Sequence, residues 1–192
     1  LKTRFGNLGN ILDFNNLTQE NIYVLNSPIL TNNQFEKFVS FFDKNNKTID
    51  CTFNSDENIE SKLNSIKQEA EIYVRQGVTQ IILSDKNVSK ENYPVPMLLC
   101  IGAVHTHLTK MKLRGYVSIN VQTGEALDTH SFATLIGVGA TTVNPYLALD
   151  SLYQRFEKKL FGKFLYEECV ERYVKSVNLG LLKIMSKMGI SV

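Results

Sequence analysis

The chain has 192 residues, of which 43% are apolar, 10% aromatic and 21% charged, with a formal net charge of +2. That composition is ordinary for a globular domain and excludes intrinsic disorder, while the length supports one well-buried core and excludes two full-sized domains. The near balance of 21 Lys and Arg against 19 Asp and Glu provides no basic footprint for a nucleic acid or an anionic membrane surface.

Residues 1–46 read as a connector carrying a short strand over 22–25 and a helix over 34–42. The pairs Asn15-Asn16, Asn32-Asn33 and Asn45-Asn46 lie between apolar runs and predict loops. A strand is predicted over 48–53, where β-formers alternate. Ile59, Leu63, Ile66, Ala70 and Val74 then recur at helical spacing, with Asn54 or Ser55 placed to cap the start and Gly77 to stop the helix. The nearly unbroken apolar run at 80–84 predicts a buried parallel strand. Residues 85–96 read as a long loop held extended by Pro94 and Pro96.

A helix over 97–113 is apolar almost all round, which predicts burial on several sides. A strand over 116–121, a helix over 126–136 and a short strand over 141–144 follow. Helices over 145–160 and 165–185 close the chain. Strict β-α alternation over residues 47–160 predicts a parallel sheet with right-handed crossovers. Four βα units match either half of an eight-fold barrel or an open doubly wound sheet.

Chemistry-bearing motifs are sparse. Cys51, Cys100 and Cys169 are widely spaced and form no CxxC, which predicts buried free thiols and no zinc or iron–sulfur site within this chain. No stretch approaches the roughly 18 apolar residues of a membrane span, and Leu1–Arg4 precede no apolar signal core. Gly137-x-Gly139 follows a predicted helix and precedes a strand, so it reads as a helix stop, since a phosphate loop needs the opposite order. His105 and His107 stand about 200° apart around a helix and so cannot share one metal. Structural histidines are the simpler reading, with general acid or base work the alternative.

Function in α/β folds gathers at the carboxyl ends of the strands. That rule selects Thr52, Asn54, Ser84, Asp85, Asn120, Gln122 and Asn144. The set contains one carboxylate and no second titratable partner at an equivalent strand end, so it predicts helix caps and loop braces. No catalytic, cofactor-binding or metal-binding residue is assigned.

The run Gly77-Val78-Thr79-Gln80-Ile81-Ile82-Leu83-Ser84-Asp85-Lys86 resembles a segment of the glutamate synthase large subunit. The resemblance continues through Pro94–Leu99, Gly102–Leu108, Thr123–Ala126, Gly137–Ala140, Val143–Ala148 and Gly180–Ser191, in family order. Lys86 stands where the family usually has Arg. The resemblance implies the later part of the central α/β domain: residues 1–46 a connector, 47–160 the βα core, and 161–192 a helix leading into the FMN-binding domain. It implies a larger enzyme that makes glutamate from glutamine and 2-oxoglutarate. That enzyme would carry an amidotransferase domain, an FMN barrel and an iron–sulfur cluster outside this segment, and take electrons from ferredoxin or a pyridine-nucleotide-dependent small subunit. The segment itself is expected to be a non-catalytic coupler in cytosol or plastid stroma. The absent initiator Met and the apolar close at Gly189–Val192 agree with a piece of a longer polypeptide. The competing expectation is a free-standing α/β binding or scaffold module.

Overall fold

In the computed structural model, residues 1–5 and 22–190 are described; the expected loop at Asn15-Asn16 lies outside them. Strands β1 (Thr3–Phe5) and β2 (Tyr23–Leu25) pair antiparallel and lead to helix α1 (Asn32–Phe42). The Thr31 hydroxyl accepts the Gln34 N–H at 3.3 Å, and the Gln34 side chain accepts the Thr31 N–H at 3.0 Å. This reciprocal cap draws Asn32 and Asn33 into the first helical turn, where Asn-Asn predicts a loop. Beyond α1 come β3 (Asn46–Asp50), β4 (Thr52–Asn54), α2 (Ile59–Arg75), β5 (Gln80–Ser84), β6 (Asn92–Pro94) and α3 (Met97–Lys110). They are followed by β7 (Ser118–Gln122), α4 (Thr129–Val138), β8 (Thr142–Asn144), α5 (Tyr146–Glu157) and α6 (Tyr166–Met188).

Strands β3, β5, β7 and β8 form one parallel sheet in that order, open and half-barrel-like. The helices that connect these strands, α2, α3 and α4, touch in turn. Beyond β8 the sheet edge gains an extended segment. The Leu30 N–H donates to Val143 O at 2.9 Å, and the Val143 N–H donates to Pro28 O at 2.8 Å.

The predicted strand at 48–53 is divided. Its first part stays in the parallel sheet, and after Cys51 the chain turns away to pair antiparallel with β6. The Val95 N–H donates to Cys51 O at 2.8 Å, so the proline-held segment read as loop supplies the partner strand. Helix α2 is capped by Asn58, whose side chain accepts the Glu60 N–H at 2.8 Å; Asn54 and Ser55 stand one turn too early.

The two faces of the sheet differ in chemistry. Ile49, Ile81, Leu83, Ile119, Val121 and Val143 point to the helices and join a core with Ile66, Val104 and Phe132. Side chains of the other parity, apart from Ile82, are polar: Asn46, Thr48 and Asp50; Gln80 and Ser84; Ser118, Asn120 and Gln122; Thr142 and Asn144. Ile29 belongs to the helix-side core while the next residue, Leu30, joins Phe5, Leu25, Phe38 and Phe42. Successive residues of an extended segment face opposite ways, so α1 and the β1–β2 pair cover the polar side. The Asn144 side chain donates to Asn32 Oδ1 at 3.0 Å at one end of α1. At its other end the Asn46 side chain donates to Val39 O and Asp43 O at 2.9 and 2.7 Å. Helix α1 therefore crosses the polar face diagonally, from the carboxyl end of β8 to the amino end of β3.

Cys51, Cys100 and Cys169 are free and buried, as the composition predicts. A hydrogen bond with the Cys100 thiol, followed by burial, pushes the Cys51 thiol well up in pKa. Gly139 closes α4 at φ 129°, and a Cβ there would lie 2.7 Å from His105 Nδ1. Gly137-x-Gly139 is thus a helix stop. Helix α6 packs on α4 through Gly180, where a Cβ would lie 2.5 Å from Thr129 Cγ2. Gly180→Ala is expected to lower stability by about 1–3 kcal/mol through overpacking. Adding Thr129→Ala should recover most of that loss in a urea-unfolding double-mutant cycle.

Candidate functional site

At the carboxyl ends of the strands, sequence-selected residues meet in a chain of hydrogen bonds. The Ser84 hydroxyl donates to Gln122 Oε1 at 2.9 Å, the Gln122 amide to Asn144 Oδ1 at 3.2 Å, and the Asn144 amide to Leu30 O at 2.9 Å. One residue pair deeper runs a second ladder. There the Thr142 hydroxyl donates to Asn120 Oδ1 at 2.7 Å, and the Asn120 amide donates to Gln80 Oε1 at 3.0 Å. Among the described residues, every buried side-chain polar atom has a partner. A dry, fully paired network is stiff, because breaking any link strands its neighbour.

Asp85, 2% exposed, lies just beyond β5. Its carboxylate accepts the Thr123 hydroxyl and the Gly124 N–H at 3.1 Å, and the Tyr146 phenol lies near enough to feel its charge. Glu125 continues this loop and accepts the Met97 N–H at 3.1 Å, closing the amino end of α3. Partial burial raises the Glu125 pKa, the Met97 N–H works against that rise, and the Asp85 charge adds to it. Burial, and after it the Asp85 charge, raise the Tyr146 phenol. On the outer strand, burial works to raise Asp50, but hydrogen bonds from Asn87 and Thr52 outweigh it and hold the carboxyl below its usual value. Asn54 sits in β4, away from the ladders.

The expectation of a single titratable group at the strand ends is thus corrected. Glu125 and Tyr146 stand close enough to Asp85 to feel its charge. The strand-end rule misses them because Glu125 lies three residues past β7, in Thr123-Gly124-Glu125, and Tyr146 two residues past β8, after Pro145. Gln80, Thr142 and Asn32 also belong to the network, and only the cross-strand register brings them in.

His105 and His107 turn to different partners. His107 Nε2 meets Glu71 Oε2 at 2.6 Å, and Arg75 holds the same carboxylate. Those two partners, Arg75 foremost, lower the Glu71 pKa. His105 Nδ1 accepts from Arg114 Nε at 3.1 Å, and Arg114 also donates to Val117 O and Gly139 O. Among the described residues no three His, Cys, Asp or Glu side chains gather as a metal would need.

Three of the four helices that follow the parallel strands do not fit a flavin phosphate, which needs free N–H groups at a helix start. Asn58 caps α2, the Glu125 carboxylate accepts the Met97 N–H of α3, and Asp128 accepts the Ser131 N–H of α4. Nor do the cysteines fit a cluster, since Cys51 and Cys100 form a pair while Cys169 lies on α6.

Along residues 1–192 the chain matches the family described as the glutamate synthase central domain. The chain belongs to that family. It is 48% identical over 195 residues to the glutamate synthase [NADPH] large chain of Azospirillum brasilense, covering 100% of this chain and 13% of that protein. The large chain of the Bacillus subtilis NADPH enzyme is 42% identical over 169 residues, covering 87% and 11%. The chloroplastic ferredoxin-dependent glutamate synthase of Spinacia oleracea is 36% identical over 214 residues, covering 100% and 13%. The chain thus spans about an eighth of the length of these relatives. Among the described residues no helix is long and apolar enough to cross a membrane.

In this glutamate synthase central domain, Tyr146→Phe removes the phenol that lies beside the buried Asp85 carboxylate and is expected to cost about 1 kcal/mol at neutral pH. The phenol's pKa is raised on folding, so its contribution is complete below the ordinary tyrosine value of about 10 and is lost as pH rises further. Urea unfolding should show the advantage of the parent over Tyr146→Phe shrinking only on the alkaline side.

Proposed function

We propose that the chain is the central part of a glutamate synthase that makes L-glutamate from L-glutamine and 2-oxoglutarate. In this reading the amidotransferase domain hydrolyses glutamine, ammonia passes through the protein, and an FMN-binding domain with an iron–sulfur cluster carries out reductive amination. All of those groups lie elsewhere on the polypeptide. Electrons come from ferredoxin or from a pyridine-nucleotide-dependent small subunit, in cytosol or plastid stroma.

The role of this segment is to space and couple the two catalytic domains, with no catalytic residue of its own. Residues 1–46 join it to what precedes, 47–160 form its βα core, and 161–192 lead toward the FMN-binding domain. The observation that carries this reading is the mutual satisfaction of the strand-end groups. Ser84, Gln122, Asn144, Asp85, Thr123 and Glu125 are each engaged with another group of the chain itself. A reacting site keeps a donor, base or nucleophile directed at substrate.

The test uses the full-length large chain. Ser84→Ala and Glu125→Gln should leave both glutaminase turnover and ammonia-dependent glutamate formation within about threefold of the parent. That change is far below the roughly 100-fold or greater loss that follows removal of a general acid or base. A loss of that size at unchanged melting temperature would place catalysis in this segment.

A further inference from the structure

His105 and His107 lie on opposite flanks of α3, and each is wired to a different neighbour. Arg114 Nε donates to His105 Nδ1 at 3.1 Å. A guanidinium has donors only, so this bond exists while His105 is neutral and carries its proton on Nε2. The same guanidinium donates to Val117 O at 2.6 Å and to Gly139 O at 3.0 Å. It thus ties α3 to the residue ahead of β7 and to the end of α4. The His105 ring lies against Gly139, where any Cβ would stand 2.7 Å from Nδ1.

On the other flank His107 Nε2 meets Glu71 Oε2 at 2.6 Å, across the contact between α2 and α3. Neutral His107 can donate here, and a cationic imidazole does so more strongly. Glu71 supplies a lasting negative charge, because Arg75 first and His107 next hold its carboxyl below the usual value. The other ionisable groups on that stretch of α2 are Lys67, one turn before Glu71, and Glu69 and Tyr73, which bond to each other at 2.8 Å. Strand β5 and the last two turns of α4, which also pack on α3, carry none. Lys110 and Lys112, at the end of α3 itself, are exposed.

We infer that the two histidines make the hold on the carboxyl-terminal half of α3 pH-dependent, with opposite signs on its two flanks. Neutral His105 fastens α3 to β7 and α4 through Arg114. Its protonation removes the acceptor and sets two cations 3.1 Å apart. That tie is complete above the ordinary imidazole value of about 6.5 and is lost as pH falls. Protonation of His107 turns the Glu71 contact into an ion pair, which is present below about 6.5 and lost as pH rises. Falling pH therefore moves the grip on α3 from α4 to α2. The two-residue spacing, which cannot serve one metal, produces this opposition because it turns the rings to different neighbours.

Hydrogen–deuterium exchange of the full-length large chain reads both flanks, at about one pH unit above and about one below the imidazole value. Rates at each pH are corrected for the intrinsic pH dependence of amide exchange. Residues 113–118 and 136–141 should exchange roughly fivefold faster on the acid side, the factor expected for one lost hydrogen bond. Residues 70–76 of the same sample should exchange more slowly there. His105→Asn keeps a neutral acceptor near the Nδ1 position, and should hold 113–118 and 136–141 within about twofold between the two conditions. His107→Gln keeps a neutral donor near Nε2 and should abolish the response of 70–76 alone. A flat parent profile over 113–118 and 136–141 overturns the inference, and so does an acid-side rise that survives in His105→Asn. An equal acid-side rise in all three segments also overturns it, as general acid loosening of the domain. The parent profile decides the question even where a variant fails to fold.

Discussion

A parallel sheet buried on both faces normally carries apolar side chains on both, and this one does not. Its helix-side face is aliphatic apart from exposed Lys47 on the outer strand β3, while the opposite face carries amides, hydroxyls and a carboxylate, with Ile82 the one apolar exception. Each polar atom buried there costs on the order of 1–3 kcal/mol unless it finds a partner. The two cross-strand ladders meet that demand, and they can do so only in the observed register, because a one-residue slip would turn every amide into the helix core. Asn144, at the end of one ladder, holds one end of α1, and Asn46 on the same face of β3 holds the other. Closure of the polar face, placement of α1 and alignment of the strand ends thus follow from one constraint.

That constraint also explains the character of the strand ends. Parallel α/β folds gather binding and catalytic groups there, and this chain places Asp85, Glu125, Tyr146, Gln122 and Asn144 there too. They are directed at each other and at the first turn of α3. The Asp85 carboxylate, which accepts the Thr123 hydroxyl and the Gly124 N–H, stabilises its own loop and has little left to offer a substrate. In a domain spanning about an eighth of its relatives' length, stiff strand ends support the coupling role proposed above.

Much of the fold is legible in the sequence because its signals are local. The apolar run Ile81-Ile82-Leu83, the alternation Ser118-Ile119-Asn120-Val121-Gln122 and the stops at Gly77 and Gly139 each act within a few residues. Errors arise where a local preference meets a distant partner. Asn32-Asn33 reads as loop until the Thr31–Gln34 cap is weighed, and the strand at 48–53 reads as continuous until β6 is there to draw its second half away. The alternation in β7 predicts a polar side. It does not reveal that Gln80 and Thr142 complete it, since that depends on register between strands about 40 and 22 residues away. Glu125 and Tyr146 escape for the same reason, being brought near Asp85 from separate βα units.

The central claim is that the paired ladders act as a unit and hold the strand ends in place. A double-mutant cycle on Asn120→Ala and Thr142→Ala, both fully buried, tests it most directly by urea unfolding. Each single change leaves the other group unpaired in a dry site, so the two costs should be strongly non-additive, with a coupling of about 1–3 kcal/mol. Additivity within about 0.5 kcal/mol would show the pair acting independently and would contradict the account.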